Sequence, residues 1–211
     1  MVTPRTSWQT PGRRRQSETK RAAILDAAEE LFVSSGYELT SVDAIAARAT
    51  VSKRTVYDHF GDKLSLFRRV VERVDDALLA LTRTAVREEL TEGRDLGDAL
   101  LAFVRRVTTD VVPSSTYATF RLLNARSAST PRRPDRPSEE PERILEERFA
   151  QLAAKGELKL SNPRRAVQHF VALTIRLVLA EIDHAPPGSV SRSEIEEIIT
   201  DGVDAFLRAY R

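Results

Sequence analysis

Nine consecutive residues, Ser52 to Phe60 (SKRTVYDHF), concentrate hydrogen-bond donors in the length of about two helical turns. Lys53 and Arg54 carry positive charge, Ser52, Thr55 and Tyr57 carry hydroxyls, and His59 carries an imidazole. If the segment is helical, Val56 and Phe60 fall on one face and leave the polar groups on the other. Such a set can donate to phosphate oxygens, and its Arg or Lys can reach guanine O6 and N7. Covalent chemistry has no comparable support. There is no cysteine, and the three histidines at 59, 169 and 184 form no constellation. Neither a glycine-rich phosphate loop after a strand nor a nucleophile elbow is present, and no His/carboxylate group has metal-ligand spacing. The residues predict a non-enzymatic binder with no cofactor and no metal.

Those groups need a rigid support, and the preceding residues supply one. Val42, Ile45, Ala46 and Ala49 recur at three- and four-residue intervals, one face of a short helix. Thr40 or Ser41 stands where its N-cap belongs, with Asp43 at the third helical position if Thr40 is the cap. A break at Thr50-Val51 comes next, and Ser52 can cap the following helix, Lys53 to Phe60. Two short helices, a tight turn and a polar second helix predict a helix-turn-helix whose second helix enters the major groove. Each donor also has a plainer role. Lys53 or Arg54 could pair with a phosphate rather than a base, Tyr57 could be a half-buried core aromatic, and His59 could make a structural hydrogen bond.

Charge is distributed to match. Net charge is +2, yet residues 1–69 hold twelve bases against eight acids, and residues 70–211 hold 21 against 23. The positive end carries the donor-rich segment, as polyanion binding requires. Residues 1–16 lack periodicity and read as a flexible basic arm, whose Arg13, Arg14 and Arg15 either reach DNA or belong to a solvated tail. No apolar run of about 18 residues occurs, so no membrane partner is expected. Absent cysteine and an N-terminus without an apolar signal core fit a cytoplasmic protein.

The stretch SVDAIAARATVSKRTVYDHFGDKLSLF resembles the DNA-binding domain of TetR-family transcriptional regulators. That family shows a small-residue helix, Val-Ser, a Thr-x-Tyr-x-His-Phe helix, then a Lys and a Leu-Phe pair. Residues 22–36 (AAILDAAEELFVSSG) fit its preceding helix, so the resemblance covers roughly residues 18–70 strongly and the remainder in helical layout and length. One position departs from it: Thr50 stands where the family usually has glycine before the Val. The resemblance implies an all-α protein with an N-terminal three-helix helix-turn-helix domain (residues 17–62). A C-terminal helical ligand-binding and dimerisation domain (63–211) completes it, giving about nine helices. It further implies a ligand-responsive homodimeric repressor of a palindromic double-stranded operator. Ser41, Ser52, Lys53, Arg54, Thr55, Tyr57, His59 and Lys63 would contact DNA. A scaffold or co-regulator of the same fold that binds a protein partner is the alternative.

Beyond residue 62 the apolar spacing predicts helices over about 62–90, 96–112, 114–128, 142–155, 163–183 and 192–210. The last two, helices 8 and 9, are expected to pair two copies of the chain, because helix 8 is apolar around more of its circumference than one layer needs. The resemblance also implies a small-molecule effector of unknown identity. Polar residues among apolar neighbours mark its candidate pocket: Tyr117, Arg121, Asn124, His169, Thr174 and Arg176. Arg176, inside VALTIRLVL, is expected to be buried and to need an acidic partner or a ligand carboxylate.

Overall fold

The structure, a computed structural model, describes residues 11–126, 141–184 and 190–211, the side chains of residues 11–14 and 124–126 apart. Outside the described residues lie the first ten residues of the expected arm, the side chains of Arg13, Arg14 and Asn124, most of the proline-rich segment 130–141, and the break at 185–188. Nine helices and no strand occur among the described residues. They are α1 (Pro11–Leu39), α2 (Val42–Arg48), α3 (Lys53–Phe60), α4 (Lys63–Glu89), α5 (Leu96–Arg106, continued by a π turn at Val107–Val111), α6 (Ser115–Arg126) and α7 (Pro141–Ala154). Helix α8 comprises Pro163–Val171, a π turn at Ala172–Arg176, and Leu177–His184; α9 is Arg192–Tyr210. The chain divides into two compact units, Met1–Val74 with Thr119–Arg132, and Asp75–Ala118 with Arg133–Arg211.

Helix α1 starts at Pro11, six residues earlier than expected, so Arg13–Arg15 lie in helix rather than in a flexible arm. Proline fits a first helical turn, where its missing N–H has no partner to lose, and the Arg, Gln, Glu, Lys and Ala residues after it are good helix formers. Gly36 interrupts α1 with φ 82° and ψ 167°, a conformation open to glycine. Thr40 is not the cap of α2. Its buried hydroxyl donates back to the Leu31 and Gly36 carbonyls at 3.0 and 2.7 Å, closing the corner. Ser41 takes the cap instead, accepting from the Ala44 N–H at 3.1 Å.

The core of the first unit joins Ile24, Ala28 and Phe32 of α1 to Ile45 of α2, Val56 and Phe60 of α3, and Leu66, Phe67 and Val70 of α4. Phe32 and Phe67 meet edge to face, with ring centroids 5.1 Å apart. Ion pairs brace the outside. Arg73 of α4 bonds Asp26 at 2.6 Å and also Glu29, both on α1. Arg48 of α2 forms a two-pronged pair with Glu30, at 2.9 and 3.0 Å.

In the second unit, Phe149 of α7, Phe170 of α8 and Phe206 of α9 pack mutually, centroids 5.1–5.5 Å apart. Helix α9 crosses α8 at its π turn. A Cβ on Gly202 would stand 2.1 Å from the Leu173 carbonyl oxygen, so only glycine permits this approach. The segment between α7 and α8 is pinned where the Lys159 N–H donates to the Tyr210 carbonyl at 2.7 Å. No helix among the described residues is long and apolar enough to cross a membrane.

Candidate nucleic-acid interface

Local chemistry sets the reading helix. Ser52 caps α3, accepting the Thr55 N–H at 3.0 Å, and its hydroxyl lies 2.8 Å from that of Thr55. Val56 and Phe60 are buried, as their spacing predicts. The same rotation leaves Ser52, Lys53, Arg54 and Tyr57 exposed, with Thr55 and His59 half-buried. Arg21 of α1 lies over the Phe60 ring, 4.9 Å from its centroid, and steadies the helix from behind.

The turn before α3 takes a defined form. The Thr50 N–H donates to the Ala47 carbonyl at 3.2 Å and the Val51 N–H to the Ala46 carbonyl at 3.0 Å. This is the paired bonding of a Schellman motif, with Thr50 at its left-handed position (φ 57°). The turn therefore keeps the conformation that glycine would adopt without strain, and Thr50 bears the cost. Val51 packs on the first unit's core.

The cations of α3 already have partners. Lys53 reaches across the turn to Asp43 of α2, Nζ to Oδ2 2.8 Å. That hydrogen bond, then the Asp43 charge, holds the ammonium's pKa above its ordinary value. Arg54 is 90% exposed and lies a looser 3.9 Å from Asp58 one turn on. Lys63, at the start of α4, lies 4.3 Å from the centroid of the Tyr37 ring and 3.4 Å from the Glu38 carbonyl. Tyr37 and Asp43 are the two neighbours that sequence reasoning missed as part of this surface. A tyrosine directly after Gly36 was the available signal for the first. Asp43 shows in the sequence only as an acid in a first turn.

Those expected effector residues whose side chains are described have local surroundings of their own. Thr174 is fully buried, and its hydroxyl donates to the Phe170 carbonyl at 2.6 Å. His169 is exposed and its Nδ1 lies 2.6 Å from the Tyr210 hydroxyl. Arg176 is not buried: its side chain is 65% exposed and pairs with Glu142 of α7 at 3.4 Å. Six residues after the buried Phe170, Arg176 stands about 120° around the helix from it, on the outer face. Tyr117 is half-buried and Arg121 exposed, each with interactions of its own.

Residues 24–70 match the profile described as bacterial regulatory proteins, tetR family, and residues 98–211 match that of an AefR-like transcriptional repressor, C-terminal domain. The chain belongs to the TetR family. Among curated TetR-like relatives, the HTH-type transcriptional activator FasR of Mycolicibacterium smegmatis is 39% identical over 92 residues, covering 44% of this chain and 42% of its own length. An HTH-type transcriptional repressor of Mycobacterium tuberculosis is 37% identical over 90 residues, 40% of this chain and 48% of that protein. The chain thus spans about half the length of the curated relatives it matches. Among solved structures, a TetR-family regulator from Mesorhizobium loti superposes with a TM-score of 0.70 at 26% identity, over 92% of this chain and 98% of that one. The flavonoid-responsive regulator FrrA superposes with a TM-score of 0.67 at 25% identity, over the same two shares. The surface built by α2, α3 and the start of α4 is accordingly the helix-turn-helix of a TetR-family transcriptional regulator.

Proposed function

We propose that the chain works as a homodimeric, ligand-responsive repressor that occupies a palindromic operator. Residues 17–62 read the DNA, and residues 63–211 pair the subunits and take the effector. Arg54, Lys53 and Tyr57 address base edges, while Ser41, Ser52, Thr55, His59 and Lys63 hold phosphates. The observation that carries this reading is the exposed, serine-capped start of α3 with Arg54 extended into solvent. Arg13–Arg15 belong to the first turns of α1 and would add phosphate contacts.

Pairing is assigned to α8 and α9. Beyond the π turn, Leu177 is 49% and Ile182 is 40% exposed, apolar area that a second copy would cover. A dimer also supplies two reading heads for two half-sites about one DNA turn apart. The match of residues 98–211 to a repressor's C-terminal domain favours repression over activation, and FrrA's response to flavonoids supports control by a small molecule. Footprinting on the intergenic DNA beside the chain's own gene tests the reading. Protection by the wild type should weaken by about 1–3 kcal/mol in Arg54→Ala if that guanidinium grips a base edge. No protection on any duplex would overturn it.

A further inference from the structure

Counted as a unit, the exposed start of the reading helix is electrically neutral. Lys53 and Arg54 face Asp43 and Asp58, two cations against two carboxylates. The two pairs differ in kind. Arg54 and Asp58 lie 3.9 Å apart on one helix, with the arginine side chain 90% exposed, so the guanidinium is free to leave. Lys53 and Asp43 are in direct contact at 2.8 Å and join two helices across the turn. Asp43 occupies the first turn of α2, where the helix dipole favours a carboxylate whether or not Lys53 is present.

We infer that Asp43 is a specificity-determining residue: by holding the Lys53 ammonium across the helix-turn-helix, it withholds that cation from indiscriminate phosphate contact. The inference rests on the DNA-binding reading above. Random duplex offers phosphates alone, and each phosphate neutralised by a cation raises affinity and steepens its dependence on salt. A Lys53 committed to Asp43 adds nothing to that background. At a matching sequence, base contacts by Arg54 and its neighbours seat the helix, and the exposed Lys53 pair, weak as surface pairs are, can then exchange partners. Asp43 therefore lowers the affinity for every wrong site without touching a base.

The experiment uses the full chain and two duplexes of about 30 base pairs: one random, one selected by the wild type from a random pool. Anisotropy titrations over a range of salt give affinity and salt slope for wild type, Asp43→Asn, Lys53→Met and the double variant. Asp43→Asn is expected to bind random duplex roughly threefold more tightly, with the log–log slope steeper by about 0.9, the signature of one added phosphate contact. Its preference for the selected duplex should narrow by a similar factor. In the Asp43→Asn background, Lys53→Met should abolish the gain. Equal slopes for wild type and Asp43→Asn, or a lowered thermal midpoint with unchanged slopes, would make the contact merely structural and overturn the inference. If the wild type retains no duplex, the DNA-binding reading falls first and takes this one with it.

Discussion

Replacing Thr50 with glycine is expected to stabilise the protein, because the only change is at a backbone position already shaped for glycine. Thr50 has φ 57°, and its N–H bonds the Ala47 carbonyl while the next N–H bonds Ala46. Both bonds survive the substitution, since glycine keeps the backbone donor. The exposed side chain covers no core, so little packing is lost. A left-handed conformation costs a residue with a Cβ about 1–2 kcal/mol. Glycine's greater freedom in the unfolded chain offsets about 0.4–1 kcal/mol of the relief. The net gain is about 0.5–1 kcal/mol, or a rise of about 1–4 °C for a chain of this size unfolding as one unit. Urea unfolding monitored by circular dichroism reads it best, as a higher midpoint at unchanged m-value. Thr50→Ala is the control: it keeps a Cβ and should recover less than glycine does. A glycine variant less stable than wild type, or an alanine variant equal to it, would refute backbone strain as the cause.

The same geometry sets other expected outcomes. Gly202→Ala should cost about 3 kcal/mol, near the top of the overpacking range, because the added methyl meets the Leu173 carbonyl rather than a movable side chain; an unchanged urea midpoint would mean that α9 and α8 cross farther apart. Asp62, Asp95 and Glu194 all sit below their ordinary carboxyl pKa values, chiefly through backbone N–H bonds from Ser65, from Asp98 and Gly97, and from Ser191. Depressed folded values mean that their stabilisation is complete above the unfolded values near pH 4, and is lost as pH falls through the folded ones. A triple variant with Asn, Asn and Gln should lose less stability than wild type between pH 7 and pH 3; an identical loss would remove those caps from the acid response. Leu177→Glu with Ile182→Glu should turn a dimer into a monomer in sedimentation velocity at micromolar concentration, and a dimer that persists would move the pairing surface elsewhere.

The sequence discloses most clearly the features decided within one helical turn. Ser52, Ser191 with Glu194, and Asn162 before Pro163 are legible as starts because capping joins residues two or three apart, and all three cap as that chemistry dictates. The buried face of α3 is legible for the same reason, since Val56 and Phe60 are one turn apart. Thr50 is informative in a subtler way. A residue ill-suited to positive φ leaves open whether the turn changes or the residue bears strain, and the φ of 57° at Thr50 decides for strain.

The features that sequence reasoning missed depend on distant residues or on register. Lys53–Asp43, Arg48–Glu30 and Arg73–Asp26 join positions 10, 18 and 47 apart on different helices, and no periodicity encodes such pairs. Leu177, beside Arg176, illustrates register. A continuous helix through VALTIRLVL would carry one apolar stripe past that arginine. Arg176 stands about 120° from Phe170 and faces outward on any regular helix, while the π turn at Ala172–Arg176 rotates Leu177 away from the Phe170 side into exposure. Gly202 on the neighbouring helix marks where that wider turn is accommodated, because α9 packs against the Leu173 carbonyl with no side chain between. The register shift thus turns Leu177, which a regular helix would set beside Phe170, into an exposed position. The exposed Leu177 inside an apolar run here marks a change of helical face.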